Sequence, residues 1–223
     1  MRKKLIYSAL GKYLVGLVLV GLLLFLPAGT FAYLGAWLFM GLLFVPMLGL
    51  GLVLLVKAPD LLEKRMQSRE NETEQKKVVG VTGLLFLAAF VLAGVDFRLQ
   101  CTHVPLWLQT AASVLLLASY GMYAEVMREN MYLSRTVEVQ AGQKVIDTGL
   151  YGIVRHPMYS ATVLLFLSIP LVLGSFIGFA VMLPYPLLLT KRIRNEEKVL
   201  TEGLPGYAQY CEKVQWRLIP FVW

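Results

Sequence analysis

Apolar residues run along this chain in long unbroken blocks, and charge is confined to the stretches between them. Tyr13 to Val56, Val78 to Val95, Leu99 to Ala124 and Ser160 to Thr190 contain no Asp, Glu, Lys or Arg. A helix needs about 20 residues to cross a hydrocarbon core of roughly 30 Å. The first block therefore predicts two helices, about 9–28 and 33–56, divided at Pro27-Ala28-Gly29-Thr30. The second predicts a helix over about 78–95, and the third a helix opening at Pro105-Leu106-Trp107. No alternating apolar and polar pattern speaks for a barrel, and backbone groups in lipid must be satisfied within the segment.

The fourth block is broken by Pro170, Gly174-Ser175, Gly178, Pro184 and Pro186. Interior prolines remove helix bonds and kink the axis. Two helices of about 13 residues with a turn at Gly174-Ser175 fit the segment better than one long span. The expected fold is all-α and integral to a membrane: four transmembrane helices, then a C-terminal re-entrant helical hairpin and cytosolic tail helices. Residues 1–223 read as one membrane domain. Within it, 1–56 is a scaffold of two helices, 57–77 a charged cytosolic loop, 78–127 helices three and four, and 128–223 the chemically active region.

Composition agrees, with 57% of 223 residues hydrophobic. Cytoplasmic loops collect Lys and Arg, and the predicted topology places 20 of the 21 cations on one face, leaving only Arg98 opposite. Both termini are then cytoplasmic. This distribution accounts for the net charge of +7 through topology and attraction to anionic lipid headgroups, with no nucleic-acid partner. The basic start followed by an apolar run resembles a secretory signal, but a second hydrophobic helix follows at once, and cleavage is not expected. Cys101 and Cys211 are the only cysteines and stand far apart. They support neither a disulfide framework nor, with His103 beside Cys101, a metal site.

The polar stretches differ in character. Residues 57–77 interleave six cations with acids, as a solvated helix or linker does. Glu125 and Arg128 are spaced as an ion pair on the end of helix four, and Glu125 is also a candidate for facing an active site. Ser134 to Gln140 is β-branched and alternating, suited to an extended segment. Tyr207 and Tyr210, after the break at Gly203-Leu204-Pro205-Gly206, open a short tail helix, with Trp216 and Phe221 as a lid or an interfacial anchor.

Chemistry concentrates at two places. Tyr151-Gly152-Ile153-Val154-Arg155-His156-Pro157-Met158-Tyr159 precedes the apolar hairpin, and Lys191-Arg192-Ile193-Arg194-Asn195-Glu196-Glu197 follows it. A hairpin would bring these clusters together at one membrane face. Imidazole, guanidinium, carboxylate and phenol groups there suit a reaction between a polar cofactor from the cytosol and an amphiphile from the bilayer. Nucleophile elbows, phosphate-cradling glycine loops, GxGxxG and HExxH are absent, so the residues alone leave the reaction open.

The pattern Tyr151-x-x-x-Arg155-His156-Pro157-x-Tyr159, the hairpin, then Glu196-Glu197, Leu200, Gly206-Tyr207 and Tyr210 resembles the isoprenylcysteine carboxyl methyltransferases and the related phospholipid N-methyltransferases. The likeness covers roughly residues 130–220, with Ala161 where the family often has Gly. It implies an enzyme using S-adenosylmethionine to methylate a lipid-soluble or lipidated acceptor. It further implies cofactor contacts from Gln140, Gln143, Lys144, Val145, Ile146, Tyr151, His156, Pro157, Met158, Tyr159 and Glu196. Arg192 matches the family's substrate-carboxylate arginine, one helical turn before Glu196. An amine acceptor would instead need a base, with Glu197, Glu125 or His156 as candidates. Membrane sterol reductases are distantly similar at the C-terminal region, which keeps an NADPH enzyme as an alternative beside a non-catalytic membrane protein.

Overall fold

The computed structural model of the chain describes residues 2–66, 73–133 and 139–223. The middle of the charged 57–77 loop and most of the alternating Ser134 to Gln140 stretch lie outside these residues. The described elements are α1 (Arg2–Ala28), α2 (Leu34–Lys57), α3 (Pro59–Met66), α4 (Thr73–Leu99), α5 (Leu106–Glu129), α6 (Pro157–Val172), α7 (Phe176–Met182), α8 (Tyr185–Gly203) and α9 (Tyr207–Lys213). No strand occurs among them. Five segments are long and apolar enough to cross a membrane: Leu5–Ala28, Leu34–Lys57, Val78–Leu99, Leu106–Glu129 and Phe176–Gly203. The chain is an all-helical, multi-pass integral membrane protein.

Its helices pack as pairs, α1 on α4 and α5 on α6, with α7 and α8 also against α4. The main core joins Leu24 and Phe25 of α1, Phe39 of α2, Phe90 and Ala93 of α4, Leu116 of α5 and Ile169 and Val172 of α6. Gly94 permits the α1–α4 contact: a Cβ there would meet the Leu24 carbonyl oxygen at 2.7 Å. Outward faces stay apolar, as at Val15, Leu19, Val45 and Val114. That is the pattern expected where lipid replaces water as the outer contact.

The second leg of the hairpin is built from two helices, α7 and α8. The turn falls at Gly174-Ser175 as expected, with Gly174 in the left-handed region at φ 83°. Ser175 caps α7 by accepting from the Gly178 amide at 2.9 Å. The second leg, however, is not one helix of about 13 residues. Pro184 stands just before α8 rather than inside it, where its missing N–H costs nothing, so α7 and α8 follow one another over Phe176–Gly203, apolar at the start and carrying the charged cluster from Lys191 onward. The turn also meets the loops at the far ends of α1 and α4. Tyr33 donates to the Leu173 carbonyl at 2.6 Å, and the Phe176 amide donates to Thr102 Oγ1 at 3.1 Å. The turn of the hairpin therefore lies beside the loops that follow α1 and α4.

Asp96 pins that turn. It is 1% exposed and accepts from the Thr102 amide at 2.8 Å, from Thr102 Oγ1 at 2.5 Å and from Ser175 Oγ at 2.5 Å. Removing the carboxylate strands two hydroxyls and an amide among apolar neighbours. Asp96→Ala is expected to lower stability by about 1–3 kcal/mol, read as a drop in the thermal midpoint in detergent. An unchanged midpoint would mean the turn is held by packing alone.

Candidate functional site

At the opposite end of the bundle, the two charged clusters meet. A 3-10 turn over Gly149–Gly152 delivers the chain to His156, whose backbone (φ −125°, ψ 61°) avoids the helical region as the residue before Pro157 must. Pro157 then opens α6 at its first position, pre-set in φ. The amides ahead of α6 are taken by the chain's last segment. Arg155 N–H donates to the Trp216 carbonyl at 2.8 Å and His156 N–H to that of Arg217 at 2.9 Å, while Ser160 Oγ donates to that of Leu218 at 2.6 Å. Residues 214–223 thus strap the turn that carries the imidazole.

Neighbouring residues on a helix point about 100° apart, and this separates the two glutamates of α8. Glu197 points toward the strap. Its Oε1 lies 3.2 Å from His156 Nε2 and 2.8 Å from Arg155 Nε, and its Oε2 accepts from Arg217 Nε at 2.8 Å. The Arg155 contact is an ion pair rather than a directed hydrogen bond, since Nε is not aimed along a bonding direction. Glu196 points into the bundle, accepts from the Tyr159 hydroxyl at 2.5 Å and has Oε1 3.9 Å from His156 Nδ1. Arg192, one turn earlier on the same face, donates from Nε to the Tyr159 hydroxyl at 2.8 Å. His156 is consequently held between two carboxylates, and Tyr159 links Arg192 to Glu196.

These groups line a cavity of about 480 Å³, within the size range of small-molecule sites. Its walls differ along its length. One part is formed by Gln143, Lys144, Val145 and Ile146, with Tyr151, Tyr207 and Tyr210. Another is formed by Val78, Val79, Gly83 and Phe86 of α4, with Phe166, Tyr185 and Leu189. Arg155, His156, Tyr159, Arg192 and Glu196 also line it. The Asn130 Nδ2 donates to the Tyr151 hydroxyl at 2.9 Å, and Tyr210 donates to the Tyr151 carbonyl at 2.7 Å. Burial holds the phenols of Tyr151, Tyr207 and Tyr210 above the ordinary range, so they remain protonated donors. The Lys213 ammonium bonds Asp147 at 2.7 Å, a hydrogen bond that lowers the Asp147 carboxyl and ties α9 to this loop.

Of the residues anticipated as cofactor contacts, Gln143, Lys144, Val145, Ile146, Tyr151, His156, Met158, Tyr159 and Glu196 converge on this cavity, as does Arg192. Gln140 is not on its wall. Its side chain accepts from Lys64 Nζ at 2.7 Å and donates to the Tyr132 carbonyl at 2.5 Å, bracing the loop. Pro157 is buried as the start of α6, and Glu197 faces the strap. Glu125 is away from the wall as well, paired with Arg128 at 2.7 Å on the exposed side of α5.

Sequence reasoning missed the contributions of α3 and α4. Arg65 lies in a charged stretch that reads as solvated, and Val78, Thr82 and Gly83 carry no chemistry that would single them out. Tyr123 of α5, paired with Thr162 Oγ1, was passed over for the same reason. Among the described residues no three His, Cys, Asp or Glu side chains converge as a metal site.

Comparison with known proteins bears out the resemblance. Residues 110–202 match the isoprenylcysteine carboxyl methyltransferase (ICMT) family. A Delta(14)-sterol reductase of Mus musculus is 30% identical over 91 residues, covering 40% of this chain and 22% of the reductase. A Delta(14)-sterol reductase of Methylotuvimicrobium alcaliphilum is 25% identical over 144 residues, covering 57% of this chain and 34% of that protein. The chain thus spans about a fifth to a third of the length of these curated relatives. The matched family segment holds α6, nearly all of α8 and the His156, Arg192 and Glu196 positions, while the α3 and α4 wall of the cavity and its Tyr207 and Tyr210 side lie outside that segment.

Proposed function

We propose that this chain, whose residues 110–202 match the ICMT family, is an S-adenosylmethionine-dependent methyltransferase acting on the carboxylate of a lipidated or isoprenoid acceptor. The observation that carries the reading is one cavity with two unlike walls, one with the polar groups of Gln143, Lys144, Tyr151, Tyr207 and Tyr210 and one apolar along α4, with His156, Tyr159, Arg192 and Glu196 also on its surface. A polar donor and an apolar acceptor could share such a space. The face that bears these groups is the cytosolic one, with both termini on the same side, because it collects the cations.

The residues present fit the donor. Its volume suits a nucleoside-sized ligand. Glu196 supplies a carboxylate for a cationic group, and the phenols supply protonated donors. When bound, S-adenosylmethionine brings a methyl group already activated on a sulfonium. The protein's part is then to orient two reactants and exclude water. Arg192, whose Nε donates to the Tyr159 hydroxyl, would hold the acceptor carboxylate at the cavity wall through a charge-assisted contact. A carboxylate needs no deprotonation, so no general base is required. Glu197, turned toward Arg155 and Arg217, serves to fix His156 rather than to move a proton.

Two other readings use the same cavity. An amine acceptor, as in phospholipid N-methylation, would use the same cavity with Glu196 beside the nucleophile. The similarity to Delta(14)-sterol reductases favours NADPH in the polar part instead, with Lys144, Arg65 and Arg192 as cations on the wall.

Equilibrium binding to the purified protein separates donor classes. S-adenosylmethionine is expected to bind and NADPH not to displace it. Glu196→Ala is expected to weaken that binding by about 5- to 150-fold, the equivalent of losing roughly 1–3 kcal/mol of charge-assisted hydrogen bonding. Binding of NADPH with no affinity for S-adenosylmethionine would overturn the reading.

A further inference from the structure

We propose that Tyr207 is a ligand-binding residue of this cavity, its phenol donating to the carboxylate at the amino-acid end of the methyl donor. The inference rests on the methyltransferase reading above and extends it to a residue outside the Arg-His-Pro and Glu-Glu clusters.

Tyr207 is 4% exposed and its hydroxyl is buried without a hydrogen-bond partner. Three other buried phenols have partners. Tyr33 donates to a backbone carbonyl, Tyr210 to the Tyr151 carbonyl, and Tyr151 accepts from Asn130. Buried polar groups are nearly always paired, and leaving one unpaired is costly. The side chain that reaches the Tyr207 hydroxyl, the Cys211 thiol, is a weak sulfur acceptor, and burial holds that thiol protonated despite this contact.

Tyr207 also lines the cavity, so a ligand there can complete what the protein leaves open. The ring is fixed by packing with Leu204, Tyr210 and Val214, which orients the hydroxyl before any ligand arrives.

The surroundings indicate which ligand group it meets. Arg155 and Glu196 line the same cavity, and both act on Tyr207 through space. A lone anion would be repelled by Glu196, and a lone cation by Arg155. A zwitterion satisfies both: an ammonium toward Glu196 and a carboxylate toward the Tyr207 hydroxyl and the Arg155 guanidinium. That is the head group of an α-amino acid.

The test uses Tyr207→Phe, which removes one oxygen and keeps the ring. Because that oxygen is unpaired in the free protein, the variant is expected to melt at the same temperature as the parent or higher. Its affinity for S-adenosylmethionine is expected to fall by about 10- to 100-fold, as for a hydrogen bond to a charged group. Affinity for 5′-methylthioadenosine, which lacks the amino-acid portion, should not change. Unchanged affinity for S-adenosylmethionine in a variant of a protein that does bind it would overturn this inference alone. So would an equal loss for both ligands, since the hydroxyl would then serve the nucleoside. A parent protein that binds no S-adenosylmethionine would remove the methyltransferase reading, and this inference with it.

Discussion

Glu197→Ala is expected to destabilise the protein by about 3–5 kcal/mol, among the largest effects of any single substitution outside the apolar core. The carboxylate is 12% exposed, is the shared counter-charge of Arg155 and Arg217, each at 2.8 Å, and lies 3.2 Å from His156 Nε2. Deleting one partner of a buried ion pair leaves the Arg155 guanidinium, 7% exposed, charged without its counter-ion, which costs more than the pair itself contributes. The strap should loosen as well, because Arg217 then loses its side-chain anchor and keeps only the ring of Trp223, 5.3 Å from its guanidinium carbon. Thermal melting and limited proteolysis of residues 214–223 would show both effects together. Glu197→Gln keeps the shape and one acceptor oxygen and should fall between. A variant that melts like the parent, with an intact tail, would mean that backbone bonds alone hold the strap.

Arg192→Lys should act on turnover instead. An ammonium preserves the charge but loses the planar two-point grip on a carboxylate and the Nε bond to Tyr159. Misplacing a reacting group by about 1 Å can cost on the order of 100-fold in rate, and a loss of that size in single-turnover methyl transfer is expected. Affinity for S-adenosylmethionine should stay within a few-fold, since Glu196 still accepts from the Tyr159 hydroxyl. Equal loss of affinity and rate would place Arg192 in the donor site. An unchanged or faster rate would point to an amine acceptor, whose cationic product a fixed guanidinium opposes.

Much of this was readable from charge and hydrophobicity. Four apolar blocks lay open in the sequence because lipid tolerates little else, and the helices over Leu34–Lys57 and Leu106–Glu129 begin and end close to where Pro105 and Lys57 suggest. The meeting of His156 with Glu196 and Glu197 follows from one hairpin between two polar clusters. What the sequence hid has physical causes. Proline reads the same in a helix interior as just before a new helix begins, so the stacking of α7 and α8 into one long leg was not evident. Glu196 and Glu197 are equivalent as letters, and only the helical angle between them sends one into the cavity and the other to the strap. The strap depends on carbonyl acceptors at Trp216, Arg217 and Leu218, which every residue possesses and no pattern marks. The α4 wall is made of Val and Gly, indistinguishable from residues that face lipid.

The central claim is that one cavity brings a water-borne methyl donor against a lipid-soluble acceptor. The most direct measurement is incubation of the purified protein with methyl-labelled S-adenosylmethionine and a total lipid extract, followed by partition into organic solvent. The account predicts label in the organic phase, as a base-labile ester, and about 100-fold less of it per unit time with Arg192→Lys. Label that never leaves the aqueous phase, together with extract-dependent oxidation of NADPH by the same preparation, would contradict it.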